Sequence, residues 1–398
     1  MLVTTGSTAG PEQLVNAENK YLEKMKIGFV SLMCVAPWGG SEELWSKTAL
    51  LATQQGLEVQ SLTMHWDPVS PRIAKLREAG VETKFYQHDS RALTDRMAVR
   101  MGLQKPKSQV FPSMNADVYI ISSGILWDIC AFHAITDYVS NKGKPYIILE
   151  HNAFEYGDIV PENLRGYAIS VLEGAALRLF VSERNRQCAE RQLAHSMGVY
   201  QVVNNPVNIR EASIKPYPHS DKLLLASVAS LDCLTKGQDL LLEALSGDIW
   251  RTRDFSLKIY GRGPDEQHIR RLIDFYTLQD KVTLQGHISD VDHIWETNQV
   301  LVLSSTIEGV PMVVVEAMLA GRTVLATDVG GVERYVVDGQ TGFMIGEPKA
   351  KYLSQGLEKV WNHRAQLKQL GENAFNRTLV LVDSNPEQSF LSLITQCA

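Results

Sequence analysis

Residues 304–321 read "SSTIEGVPMVVVEAMLAG", and one charge in this stretch stands where a charge is costly. Between Gly309 and Gly321 every residue is apolar or glycine except Glu316, and a second carboxylate, Glu308, stands eight positions upstream. An unpaired carboxylate on a buried surface costs several kcal/mol, so Glu316 must have a partner, be protonated or face a cavity. Pro311 suits the first position of a helix and Gly321 the residue after its end. The valines favour a strand, but the Pro-to-Gly framing and "EAMLA" favour a helix. In a helix, the free amides of Met312, Val313 and Val314 make a positive end that attracts anions such as phosphates. Glu316 then lies more than one turn in. There a carboxylate can accept charge-assisted hydrogen bonds from a vicinal diol, each worth about 1.5–3 kcal/mol. A phosphate beside a diol describes a nucleotide. Glu316 can equally accept a backbone or serine donor with no ligand involved, and the residues alone leave both readings open.

Outward from this stretch the chain repeats one rhythm. The apolar runs "LLLASVAS" (223–230), "SLKIYG" (256–261), "KVTLQG" (281–286), "QVLVLSS" (299–305) and "TVLATD" (323–328) alternate with helical periods. The first half does the same. "KIGFVSLMCV" (26–35) reads as a buried strand, and "PWGGSEELWSKTALLATQQG" (37–56) as a glycine turn and helix with Ser41 as N-cap. "LEVQSLTMHW" (57–66) is the next strand, and further strands are expected at 83–86, 118–123, 145–149, 177–182 and 201–204. Strands alternating with helices imply parallel sheets covered on both faces. Each series is too short for a barrel, so the expected fold is α/β, two Rossmann-like domains facing across a cleft. The turn-rich segment 204–222, with three prolines, marks the boundary. The expected division is an N-terminal extension (1–24), an N-terminal domain (25–207), a C-terminal domain (208–375), and a last segment (376–398) packing back on the N-terminal domain. The least regular segment is 87–114, with Arg91, Arg96, Arg100, Lys105 and Lys107 in mixed polarity. It is read as a solvated loop and helix, or as a lobe beside an acceptor site.

Composition narrows the function. The chain has 398 residues, 44% hydrophobic and 21% charged, within the ordinary globular range. Its net charge of -6 provides no global basic field for nucleic acid. Cys34, Cys130, Cys188, Cys233 and Cys397 are odd in number and widely spaced, which argues against a disulfide framework or a structural zinc site. The first 25 residues lack both a charged start and an apolar core, and no apolar run approaches a membrane span. A cytoplasmic protein is expected, with peripheral membrane attachment through the irregular lobe left open.

"EGVPMVVVE" (308–316) resembles the E-x7-E motif of retaining glycosyltransferases of the GT-B fold, family four (glycosyl transferases group 1). The resemblance continues through "AMLAGRTVLATDVGGVERYVVDGQTGFMI" (317–345) and takes in "TKGQDLLLEAL" (235–245), "IYGRGP" (259–264) and "WGGSEELWSKTALLATQQGLEV" (38–59). It implies that Glu316 binds the ribose of a sugar nucleotide and that Glu308 lies by the transferred sugar. Gly309 and the amides from Pro311 to Val313 would approach the sugar and diphosphate. It implies also a diphosphate-binding lysine at Lys236, a compact cation suited to neutralise the departing nucleotide. His151, directly after "PYIILE", matches a histidine that faces the donor sugar across the cleft. Glu150 beside it is an unusual neighbour and a candidate to adjust acceptor choice. Gly39 and Gly40 allow close backbone approach before the first helix. Without the resemblance, Lys236 reads as a surface charge, His151 as a turn residue and Gly39–Gly40 as an ordinary strand-to-helix turn.

One departure stands out. The family usually carries an arginine six residues before the lysine, and here that position is Ser230. The loop "YGRGP" offers Arg262 in compensation, or else a plain surface charge in a turn. "DVD" (290–292) imitates a metal-binding motif of another glycosyltransferase fold but opens a helix, where its charge suits the helix end. "GRG" (261–263) is too short for a dinucleotide fingerprint. Neither a metal nor a nicotinamide cofactor is expected. The expected function is sugar transfer, with retained configuration, from a nucleotide diphosphate sugar to an acceptor hydroxyl, UDP-sugar favoured over GDP-sugar. An epimerase of the same fold and a non-catalytic nucleotide-sugar binder are the alternatives. The acceptor and the oligomeric state stay unspecified.

Overall fold

The computed structural model describes residues 25–87, 111–152, 154–155 and 160–398. The N-terminal extension and the arginines and lysines named above in 91–107 lie outside them.

Two parallel sheets organise the described chain. The first holds β1 (Lys26–Ser31), β2 (Glu58–Met64), β3 (Glu82–Tyr86), β4 (Val118–Ser123), β5 (Tyr146–Glu150), β6 (Leu177–Phe180) and β7 (Tyr200–Val202), in the order β3-β2-β1-β4-β5-β6-β7. The second holds β8 (Leu223–Val228), β9 (Phe255–Tyr260), β10 (Val282–Gly286), β11 (Val300–Leu303), β12 (Thr323–Thr327) and β13 (Gly342–Ile345), in the order β10-β9-β8-β11-β12-β13. All the strand pairings are parallel, so crossovers must cover both faces with helices. The expected α/β architecture is what forms.

Strand order reverses between β1 and β4 in the first sheet and between β8 and β11 in the second. At such a switch point the neighbouring crossovers leave on opposite faces, and a crevice opens beyond the carboxyl ends of the strands. Alternation along the strands fills both faces. Tyr119, Ile121, Tyr146, Ile148 and Phe180 enter one apolar cluster, and Ile120, Ile147, Leu149 and Leu179 enter the other.

The helices used below are α1 (Ser41–Gln54), α2 (Leu126–Ala131), α3 (Glu183–Leu193), α4 (Cys233–Lys236), α5 (Met312–Leu319), α6 (Leu367–Leu381) and α7 (Pro386–Gln396). In α1 the N-cap is Gly40 and no side chain caps it, so Ser41 is the first helical residue instead of the expected cap. Within 304–321, Met312–Leu319 forms a helix despite the valines, because it buries Val314, Val315, Ala317, Met318 and Leu319 on one apolar cluster. Pro311 is its cap, one position before the expected start. Strand β13 was not foreseen: its four residues carry no apolar run long enough to mark a strand. The last helix, α7, lies against α1, with Phe390, Leu391 and Ile394 buried among Leu44, Trp45 and Ala49.

Candidate active site

Lys236 closes the short helix that follows β8, and Glu308 lies in the loop after β11. These strands are neighbours at the switch point, and the two loops are strapped together. Ser304 Oγ donates to Lys236 O at 2.8 Å, and Thr306 N–H donates to Thr235 O at 2.9 Å. The result is an ion pair, Lys236 Nζ to Glu308 Oε1 at 2.8 Å, with Ser305 Oγ donating to the same oxygen at 2.6 Å. Both side chains are largely shielded, at 21% and 11% exposure, while still reaching solvent.

Gly309 follows Glu308 and sits directly on His151. A Cβ there would overlap the carbonyl oxygen of His151, so only glycine lets the backbones of the two sheets meet. His151 continues from β5, its N–H donating to Ser123 O at 3.1 Å. The residue is 3% exposed, and neither ring nitrogen has a hydrogen-bond partner. Burial pushes the imidazole down to about 3, so it is neutral at physiological pH. Glu150 beside it is 1% exposed, with one carboxylate oxygen unpartnered. Burial, and secondarily the charge of Asp128, pushes this carboxyl up to about 8.

Glu316 is 5% exposed, and its Oε1 accepts the backbone N–H of Asn208 at 3.1 Å. Burial raises its carboxyl above the ordinary range, opposed by the Asn208 backbone and side chain and by Lys47. Lys47, on α1, reaches the same asparagine, Nζ to Oδ1 at 3.4 Å. The backbone partner anticipated as the bland reading of Glu316 is therefore present. At the start of α5, Val314 N–H donates to Pro311 O at 2.9 Å. Of the three amides expected to be free, this leaves Met312 and Val313.

Ser230 and Arg262 occupy adjoining turns: Leu231 N–H donates to Arg262 O at 3.0 Å. Arg262 is exposed and its side chain forms no ion pair among the described residues. Gly39 packs on the Met33 side chain and Gly40 has open space around its Cα, and no described contact joins either to Glu308. Their neighbours Trp38 and Glu42 instead line a narrow cleft of about 10 Å³, room for about one water, with Ser31, Met33 and Trp66. Asp292 of "DVD" pairs with Lys215 at 3.2 Å, consistent with a structural role. Among the described residues no group of three His, Cys, Asp or Glu is placed to hold a metal, and no helix is long and apolar enough to cross a membrane.

Several residues of this region carried no signal in the sequence. Asn208 looked like part of a turn-rich connection. Arg184, Glu155 and Asp328 form an ion cluster across the two sheets, between residues up to 144 positions apart. No spacing rule links positions so distant, and only the tertiary fold brings them together.

The C-terminal half matches the sequence model of the family described as glycosyl transferases group 1 over residues 209–377. Over 350 residues, 85% of this chain and 91% of the relative, it is 23% identical to an uncharacterized glycosyltransferase of Haemophilus influenzae. Two solved structures superpose with TM-scores of 0.70. One is a glycosyltransferase from Rickettsia africae, 17% identical, covering 94% of this chain and 98% of that one. The other is Anabaena HepE in complex with UDP, 16% identical, covering 94% of this chain and 100% of that one.

Proposed function

The chain belongs to the glycosyl transferases group 1 and is a glycosyltransferase of the GT-B fold, and from that premise we propose which transfer it performs. The donor is a nucleotide diphosphate sugar, UDP-sugar in preference to GDP-sugar, and the sugar passes to an acceptor hydroxyl with its anomeric configuration retained. The observation that carries this reading is the Lys236–Glu308 pair at the β8/β11 switch point, beside His151 of the other sheet. The UDP bound to the structurally similar HepE supports the choice of base.

In this reading Glu316 holds the ribose diol, and Lys236 with the amides of Met312 and Val313 receives the diphosphate. Lys236 is a compact cation held by a neighbouring carboxylate, so it is already oriented when charge develops on the leaving group. Arg262 supplies a second cation where Ser230 cannot. The bond from the anomeric carbon to the diphosphate oxygen breaks, and a bond to the acceptor oxygen forms on the same face. The acceptor proton goes to a diphosphate oxygen. Glu308 orients the sugar hydroxyls. His151, neutral and with both ring nitrogens unpartnered, gives and takes hydrogen bonds with the sugar and transfers no proton. The first sheet's face of the inter-domain cleft, where Trp38 and Trp66 stand beyond β1 and β2, is the acceptor side. Lys236 and the amides meet the diphosphate charge, so turnover is expected to survive chelation with EDTA.

The test is transfer from UDP-glucose, UDP-N-acetylglucosamine and GDP-mannose to a panel of saccharide and lipid acceptors, with proton NMR of the product. An α-linked product from an α-linked UDP-sugar supports the reading. A β-linked product contradicts it.

A further inference from the structure

Arg184, the second residue of α3, is held by groups from both sheets. Its guanidinium pairs with the Asp328 carboxylate, donates to Asp328 O at 2.9 Å, and lies 3.6 Å from Glu333 Oε2. These partners follow β12, in the second sheet. It also pairs with Glu155 of the first sheet's side, whose other oxygen accepts Gly330 N–H at 2.8 Å. The loop from Asp328 to Gly331 is thereby fastened to the first sheet's loops at two points. The opposite side of that loop is the Glu308–Gly309 segment. Gly331 N–H donates to Gly309 O at 2.6 Å, and a Cβ on Gly330 would overlap the carbonyls of Glu308 and Gly309. Gly309 in turn rests on His151. One continuous stack therefore runs from Arg184 through the 328–331 loop to Glu308.

We propose that Arg184 is a positioning residue for the transfer reaction. By tying the 328–331 loop to the first sheet, it seats Glu308 and Gly309 against His151 and holds the cleft closed on the donor sugar. This rests on the reading above that Glu308 and His151 flank that sugar. Arg184 itself touches neither donor nor acceptor. The planar fork of an arginine meets the Asp328 carboxylate, the Asp328 carbonyl and Glu155 together; a lysine point charge cannot.

The test uses the full chain with Arg184→Gln, Arg184→Lys, Asp328→Asn and the Arg184→Gln/Asp328→Asn pair. UDP affinity is measured by calorimetry, UDP release from UDP-glucose gives kcat and KM, and solution X-ray scattering reports cleft closure. Expected is a kcat loss of tenfold or more in both single variants, with UDP affinity within threefold of wild type. The double variant is expected to be no worse than either single, Arg184→Lys to recover part of the rate, and scattering to show a more open molecule. Wild-type turnover and scattering in either single variant overturns the proposal, as does a double loss equal to the product of the singles. A wild-type chain that binds neither UDP nor GDP refutes the donor reading instead. The scattering profiles of Arg184→Gln and Asp328→Asn then decide the latch on their own: an open form upholds it and an unchanged form overturns it.

Discussion

Lys236 Nζ sits 2.8 Å from Glu308 Oε1, so the cation assigned to the diphosphate is already paired with the carboxylate assigned to the sugar. A diphosphate reaching Lys236 must share it with Glu308. The Glu308→Gln variant releases the lysine and removes a negative charge beside the diphosphate. It is expected to bind free UDP more tightly than wild type while losing turnover. Lys236→Ala is expected to lose both, with kcat down by roughly 10²–10³, the usual cost of removing one preorganised charge-stabilising donor. Calorimetry and steady-state kinetics on the two variants check the opposite signs.

Arg262 and Ser230 lie on turns joined by a backbone hydrogen bond, so an arginine on either could address the same anion. Arg262→Ala is expected to reduce donor turnover, and Ser230→Arg in that background to restore part of it. An Arg262→Ala enzyme with unchanged kcat and KM for donor shows Arg262 to be a surface charge.

Gly309 touches a backbone carbonyl, which no side-chain rotation can move aside. Gly309→Ala must push Glu308 away from His151. Overpacking of this kind costs about 1–3 kcal/mol. A lowered unfolding midpoint together with lost turnover is expected, read by calorimetric unfolding and the transfer assay.

Glu150 gives a pH signature. Its folded carboxyl titrates at about 8, above the usual value near 4.5, because burial disfavours the charged form. The stability it allows is complete below about 4.5 and falls as pH rises from there through 8, at up to about 1.4 kcal/mol per pH unit. Glu150→Gln removes that loss. Wild type and variant should unfold at similar temperatures at pH 4.5, and the variant should be the more stable at pH 8. His151 works in the opposite sense: held down to about 3, it costs stability as pH falls from 6.5 towards 3. Equal midpoints at pH 8 would show that Glu150 is not held protonated by its surroundings.

The parts that sequence disclosed are local ones. Glu308, Glu316 and the Pro-to-Gly frame lie within 18 residues, and the apolar runs mark nearly every strand because a sheet covered on both faces needs unbroken apolar strands. Lys236 was placed by resemblance, but its ion pair follows from β8 and β11 being neighbours, which alternation of strands and helices alone does not state. The Asn208 bond to Glu316 and the Arg184–Asp328 pair come from segments far apart in the chain and were invisible. The valines of 313–315 and the four-residue β13 were ambiguous or silent, since short apolar segments take their conformation from what they pack against.

Glu316 carries the central claim, and a thermal-shift panel of UDP, GDP and ADP on wild type and Glu316→Ala tests it most directly. A ligand at a hundred times its dissociation constant adds about 2.7 kcal/mol of stability, several degrees in midpoint for a chain of this size. UDP is expected to raise the wild-type midpoint and to lose that effect in Glu316→Ala. If UDP stabilises both proteins equally, Glu316 serves only Asn208 and the ribose assignment is wrong.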